Sequence, residues 1–281
     1  MNSFTISAAR IKEAYLYALE TGTSPLDRKY GDEPGLSEAL HFPDNHSGFL
    51  GATPREIGDR LKRGHKPTHT SSITGSTFGD QEIFQSNIFI NDEDGDMLIE
   101  SVLGGEDLYY CKYDPMPTTA GATLRIMWNT LADSSAECLN AYYDWCLSVI
   151  ESLKNRGMAP TVELKILNRG CVDIPGSKDD LVEIIIPLTT GGMIVDSVAW
   201  RAFLAPGAYR TLGFLSHGLL AEDLNSHVNY SHGSSVGHAF AVAYDQASGV
   251  VDIACPRSMP AVFPVEEMEA QLDRVLNRTG V

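Results

Sequence analysis

The chain lacks any apolar run long enough to cross a bilayer, any C-x-x-C pair, any glycine-rich phosphate loop and any surplus of positive charge. Each absence removes a class of protein. The opening stretch "MNSFTISAARIKEAYLYALE" interrupts its apolar positions with Arg10, Lys12 and Glu13, so it reads as neither a signal peptide nor an anchor. No membrane partner and a cytoplasmic location are therefore expected. The five cysteines (Cys111, Cys138, Cys146, Cys171 and Cys255) are odd in number and scattered, which excludes a disulfide framework or a zinc knuckle and suits a reducing compartment. Lys and Arg total 21 against 37 Asp and Glu, a formal net charge of −16, so bulk electrostatic attraction to nucleic acid or anionic lipid is excluded and a polyanion contact needs a local exception.

What is present is enough apolar material, 43% of 281 residues, to bury a substantial core. Ile11, Ala14, Tyr15, Ala18 and Leu19 recur at helical spacing and predict a helix over Ala8–Glu20. In "TPREIGDRLKRG" Thr53, Pro54 and Glu56 form a capping box and Gly64 closes a second helix. The following "HKPTHTSSITGSTFGD" holds little that can be buried and reads as a flexible loop. From Gln81 the pattern turns to strands: "EIFQSNIFI" and "MLIESVL" flank "NDEDGD" as a hairpin, with "DLYYCKY" after them. The turn does not place its glycine where a calcium loop needs it.

The centre carries the clearest architecture. "TLRIMW" is a short strand, and Asp133 or Ser134 caps a helix running to Arg156 whose Leu139, Tyr142, Tyr143, Cys146, Val149, Ile150 and Leu153 form one apolar face. "TVELKIL" follows as a strand, completing a β-α-β unit with parallel pairing, and "LVEIIIPL" extends the same sheet. Two helical stretches broken at Pro206, two strand-like runs about Ser248-Gly249 and an amphipathic "VEEMEAQLDRVLNR" complete the chain. The expected class is mixed α/β: a β-α-β core with a partly parallel sheet and β-hairpins. Residues 1–80 form a flexible N-terminal helical and loop segment, and 81–281 the core domain.

Three chemical candidates follow. "YSHGSSVGHAF" contains G-x-S-x-G around Ser235, but a nucleophile elbow runs from strand into helix, whereas Ser235 runs toward the strand "AFAVAY"; a glycine-rich connection is the expectation and a serine hydrolase the lesser alternative. His217, His227, His232 and His238, with Glu222 and Asp223, include the residue types that bind divalent metals, but their spacing matches no metal signature: His217 and Glu222 lie ~140° apart around a helix. Surface or loop histidines, with no metal and no cofactor, are expected. The third is the exception to the acidity. Arg55, Arg60, Lys62, Arg63 and Lys66 stand against only Glu56 and Asp59, whereas Asp80 to Asp114 is densely acidic with Lys112 its sole basic residue. The five cations are candidates for gripping a phosphate backbone, and Phe78 and Phe84 for stacking on unpaired bases.

"YYDWCLSVIESLKNRGMAPTVELKI" and the later "PLTTGGMIVDSVAWRAFLAPGAYRTLGFLSHGLLAEDL" resemble a family of uncharacterised tailed-phage proteins, with Gly157, Val162, Glu163, Leu164, Asp196, Ala202, Arg210 and Phe214 at the matching positions. Size, acidity and the lack of a catalytic motif also resemble the single-stranded-DNA-binding RNA polymerase cofactors of lytic tailed phages. That resemblance implies a non-catalytic protein of the host cytoplasm with single-stranded DNA and a phage-encoded RNA polymerase as partners; self-association into a homo-oligomer stays open. It transfers no contact residue. Acidic single-strand binders commonly end in an acidic docking tip, whereas this chain ends "DRVLNRTGV", which moves polymerase docking to another surface such as the acidic region before Asp114. A rival from another class is a von Willebrand A-like adaptor for a phage AAA+ ATPase. Its metal motif would belong directly after "TLRIMW", where Asn129 stands and Asp133-Ser134-Ser135 comes too far along.

Overall fold

The computed structural model describes residues 2–21, 52–69, 89–90, 96–97, 110–111, 123–128, 135–155, 160–170, 172–177, 181–190, 193–194, 199–226, 228, 234–235, 239–256 and 260–278. Its strands are β1 (Asn2–Thr5), β2 (Phe89–Ile90), β3 (Asp96–Met97), β4 (Tyr110–Cys111), β5 (Thr123–Met127), β6 (Thr161–Arg169), β7 (Leu181–Pro187), β8 (Thr189–Thr190), β9 (Met193–Ile194), β10 (Ser234–Ser235), β11 (Ala241–Asp245) and β12 (Val250–Ala254). The helices are α1 (Ala8–Thr21), α2 (Pro54–Arg63), α3 (Ala136–Asn155), α4 (Ala199–Phe203), α5 (Ala208–Asp223) and α6 (Val265–Arg278). The class is mixed α/β, as expected.

The main sheet runs β1-β7-β6-β5-β12-β11, with β10 joined to β6. β5 pairs parallel with β6 across α3, the expected β-α-β unit, while β7 returns antiparallel to β6 and β12 lies parallel to β5. Alternation along β6 sorts its residues between two faces. On one face, Ile253, Ile126, Leu164 and Ile186 form a row across four strands, with Val251, Leu124 and Val162 beside it, all buried. The other face carries Asp252, Arg125, Glu163 and Pro187 in one row and Ser3, Glu183 and Leu167 in another. Arg125 pairs with Glu163 and Lys165 with Glu183, each at 3.1 Å, and the Ser3 hydroxyl donates to Glu183 at 2.7 Å.

α3 lies against the apolar face. Its buried residues include all seven expected ones, but Trp145, Leu147 and Ser148 are buried as well. The helix is therefore covered on more than one side. Tyr142 donates its hydroxyl to the carbonyl of Ile253 at 3.0 Å and reaches that of Met127 at 3.3 Å, while Tyr143 stacks on Tyr209 of α5 at 4.9 Å. The cap differs from expectation: Ser135, rather than Asp133 or Ser134, accepts from the Cys138 N–H at 3.4 Å, and Leu139 begins the ladder by donating to the Ser135 carbonyl. Asp133 and Ser134 lie outside the described residues.

Two further expectations are corrected. Among the described residues the strands flanking "NDEDGD" do not pair with each other, because β4 lies between them: Phe89 pairs with Cys111, and Asp96 pairs with the same residue from the other side. The stretch around Ser235 is not simply a connection, since Ser234–Ser235 pairs antiparallel with Arg169 and Asn168 beyond the reach of β5 along β6. β1 had no sequence signal and supplies the sheet edge, so residues inside the 1–80 segment share one sheet and one core with 81–281. The turn at Ser248-Gly249 forms as expected, with Asp245 accepting from the Ala247 N–H and the Ser248 hydroxyl.

Candidate nucleic-acid interface

α2 is organised by its two ends. At the first, the Thr53 hydroxyl accepts from the Glu56 N–H at 3.3 Å and the Glu56 carboxylate accepts from the Thr53 N–H at 2.7 Å. The Thr53 N–H first, and then the Thr53 hydroxyl, which donates to the same carboxylate at 3.0 Å, hold the Glu56 carboxyl below its ordinary range. At the other end, Gly64 adopts φ 79°, a left-handed value that favours glycine, and donates to the Arg60 carbonyl at 2.7 Å. Ile57 and Leu61 enter the core, and Tyr15 of α1 donates to the Pro54 carbonyl at 3.0 Å. The helix is therefore a fixed mount for its charged side.

The five predicted cations do not act as one set. Arg55, Lys62, Arg63 and Lys66 are exposed. Lys62 lies 4.0 Å from Glu20, an exposed pair of little energetic weight. Arg60 turns inward: it is half-buried and donates from Nη1 to the Pro206 carbonyl at 2.7 Å, tying α2 to the bend between α4 and α5. Burial lowers its pKa, an effect that Glu56 opposes. Part of the clustering also answers α2 itself, because Arg60, Lys62 and Arg63 occupy the last turn, where cations offset the helix dipole. Phe78 and Phe84 lie outside the described residues.

Immediately after α2 the chain is pinned by a carboxylate. Asp144 of α3, only 7% exposed, accepts from the Thr68 N–H at 2.9 Å, the Thr68 hydroxyl at 2.7 Å and the His69 N–H at 2.7 Å. His65 places Nε2 3.9 Å from Asp144; burial first, then Arg60, lower its pKa, so at neutral pH the contact is dipolar rather than ionic. His69 reaches Glu269 of α6 at 3.4 Å. Asp144 was not singled out from the sequence, although a carboxylate inside "YYDWC", between four residues that belong in a core, is a signal for it.

The chain matches no protein-family model, no curated protein and no solved structure.

The remaining candidates separate in space. His217 is neither a surface nor a loop residue: it is 1% exposed, and its Nε2 is hydrogen-bonded to the Asn168 amide at 2.7 Å. Burial lowers its pKa to about 4. Glu222 and Asp223 are engaged elsewhere, with Arg10 of α1 donating to both Asp223 oxygens at 2.6 and 2.8 Å and lying 3.8 Å from Glu222. His227, His232 and His238 lie outside the described residues, among which no group of three or more metal-ligating side chains converges. Ser235 sits opposite Asn168 in the pairing of β10 with β6, and the next described element is β11, not the helix that a nucleophile elbow requires. Among the described residues no helix is long and apolar enough to cross a membrane.

Proposed function

We propose that the protein binds single-stranded DNA through the exposed cations of α2 and of the segment just beyond it, and that it serves a phage-encoded RNA polymerase at melted promoters. The observation that carries the first half is the exposure of Arg55, Lys62 and Arg63 on α2, an element anchored at both ends, and of Lys66 just beyond it, in a chain whose formal net charge is −16. A negative total does not prevent this, because surface charges separated by more than about 8 Å are largely screened at physiological salt. A single strand suits the site better than a duplex, since a short cluster on one helix follows a flexible backbone more readily than it matches two rigid strands. The polymerase half rests on the resemblance to phage polymerase cofactors.

The test is fluorescence anisotropy of a labelled oligothymidylate at two salt concentrations, with duplex DNA and RNA as competitors. Each phosphate contact to a single strand contributes about 0.7 to the slope of log K against log salt, so replacing all four exposed cations by Gln should flatten that slope by roughly three. Unchanged affinity in a folded quadruple variant would sink the proposed surface. Retention of the polymerase from phage-infected lysate on immobilised protein tests the second half.

A further inference from the structure

The carboxylate beneath the segment that follows α2 has no partner in the expected charge scheme, and its geometry is specific. Asp144 receives two successive backbone N–H groups and a hydroxyl from Thr68 and His69. These donors belong to an otherwise irregular stretch, and Asp144 accepts from both of its successive amides. A second point holds the same stretch, where His69 meets Glu269 of α6. Lys66 lies between the end of α2 and this anchor, with Pro67 restricting the chain beside it. A backbone clamped on both sides of an exposed lysine leaves that lysine little freedom beyond its own rotamers.

We infer that Asp144 is a positioning residue for polyanion binding: it latches residues 65–69 onto α3 and thereby fixes where Lys66 presents its ammonium group. This rests on the proposed function, but the latch can be judged apart from it. The groups facing the latch are Arg60 from α2, His65 and His69 from the segment itself, Asp144 from α3 and Glu269 from α6. Asp144 is the one among them that accepts the backbone donors, and replacing it by Asn exchanges one acceptor oxygen for a donor facing N–H groups.

Two measurements on the full chain test this. Amide hydrogen exchange on Asp144→Asn should show faster exchange at Thr68 and His69, with β5 and β6 unchanged. Thr68→Val, which removes only the hydroxyl that donates to Asp144, should show a smaller change in the same direction and covers the case in which Asp144→Asn does not fold. Unaltered exchange at both amides overturns the latch. The second measurement is a double-mutant cycle read with the labelled oligothymidylate. Lys66→Gln should reduce the affinity change between about 50 and 200 mM salt by roughly 2.6-fold in the native background, the share of one single-strand contact. In the Asp144→Asn or Thr68→Val background the same substitution should remove less. A purely structural role for Asp144 would lower stability while leaving the effect of Lys66→Gln intact, and additivity overturns the positioning role. If the native protein binds no oligonucleotide at all, the proposed function and the positioning role fall together, while the exchange data still decide the latch.

Discussion

Acidification tests the buried pair formed by His217 and Asn168. The imidazole is held neutral by burial, with its pKa lowered from 6.5 to about 4. In the unfolded chain it takes up a proton near its ordinary value. The folded-state pKa lies below the unfolded one, so the unfolded state binds more protons throughout the interval. Stability is complete above pH 6.5, falls as pH drops from about 6.5 to about 4, and changes no further below that. With 1.36 kcal/mol for each pKa unit, the loss from this single group is roughly 2 kcal/mol at pH 5 and roughly 3 kcal/mol at pH 4. That is a large share of the ~5–15 kcal/mol that separates folded from unfolded domains. Other groups titrate over the same range, so the comparison is with His217→Gln, which cannot ionise but can still meet the Asn168 amide. Urea denaturation at a series of pH values should show the native protein losing about 3 kcal/mol more than the variant between pH 7 and pH 4. Parallel pH profiles for the two proteins, or an imidazole resonance that titrates near its ordinary value in the folded state, would refute the burial argument.

Two further outcomes are expected. Thr53→Ala removes the capping hydroxyl of α2 and should cost about 1 kcal/mol, seen as a lower urea midpoint with an unchanged slope. Tyr142→Phe leaves the Ile253 carbonyl without its side-chain donor inside the core and should cost ~1–3 kcal/mol in the same assay; a neutral result would mean that the bond between α3 and the ends of β5 and β12 carries no net weight.

Much of the fold was legible because its signals are local. The capping box from Thr53 to Glu56 lies within four residues, and Gly64 marks the stop of α2 just as locally. The β5-α3-β6 unit is likewise a run of adjacent elements with clear periodicity. What could not be read depends on distant partners. Asn2–Thr5 becomes a strand because β7 offers it an edge, not because "NSFT" prefers to be extended. Trp145, Leu147 and Ser148 are buried because α3 is enclosed on more than one side, which a single-face pattern does not express. Of the site, the cationic cluster was visible as composition. The inward turn of Arg60 toward the Pro206 carbonyl was not, since it requires the α4–α5 bend to arrive from 146 residues away. His217 illustrates the same limit: its spacing was tested against metal motifs, while its partner Asn168 comes from a strand 49 residues earlier.

The edge position of β1 also bears on how the chain is made. Synthesis delivers Asn2–Thr5 before their partner, which comes 180 residues later, as the Ser3 to Glu183 contact shows. On the ribosome this segment must wait without its mate while β5, α3, β6 and β7 emerge and assemble from near neighbours. Residues made well before their mate are thus among the last to find their place, and a nascent chain halted before residue 181 would still leave them open to proteolysis.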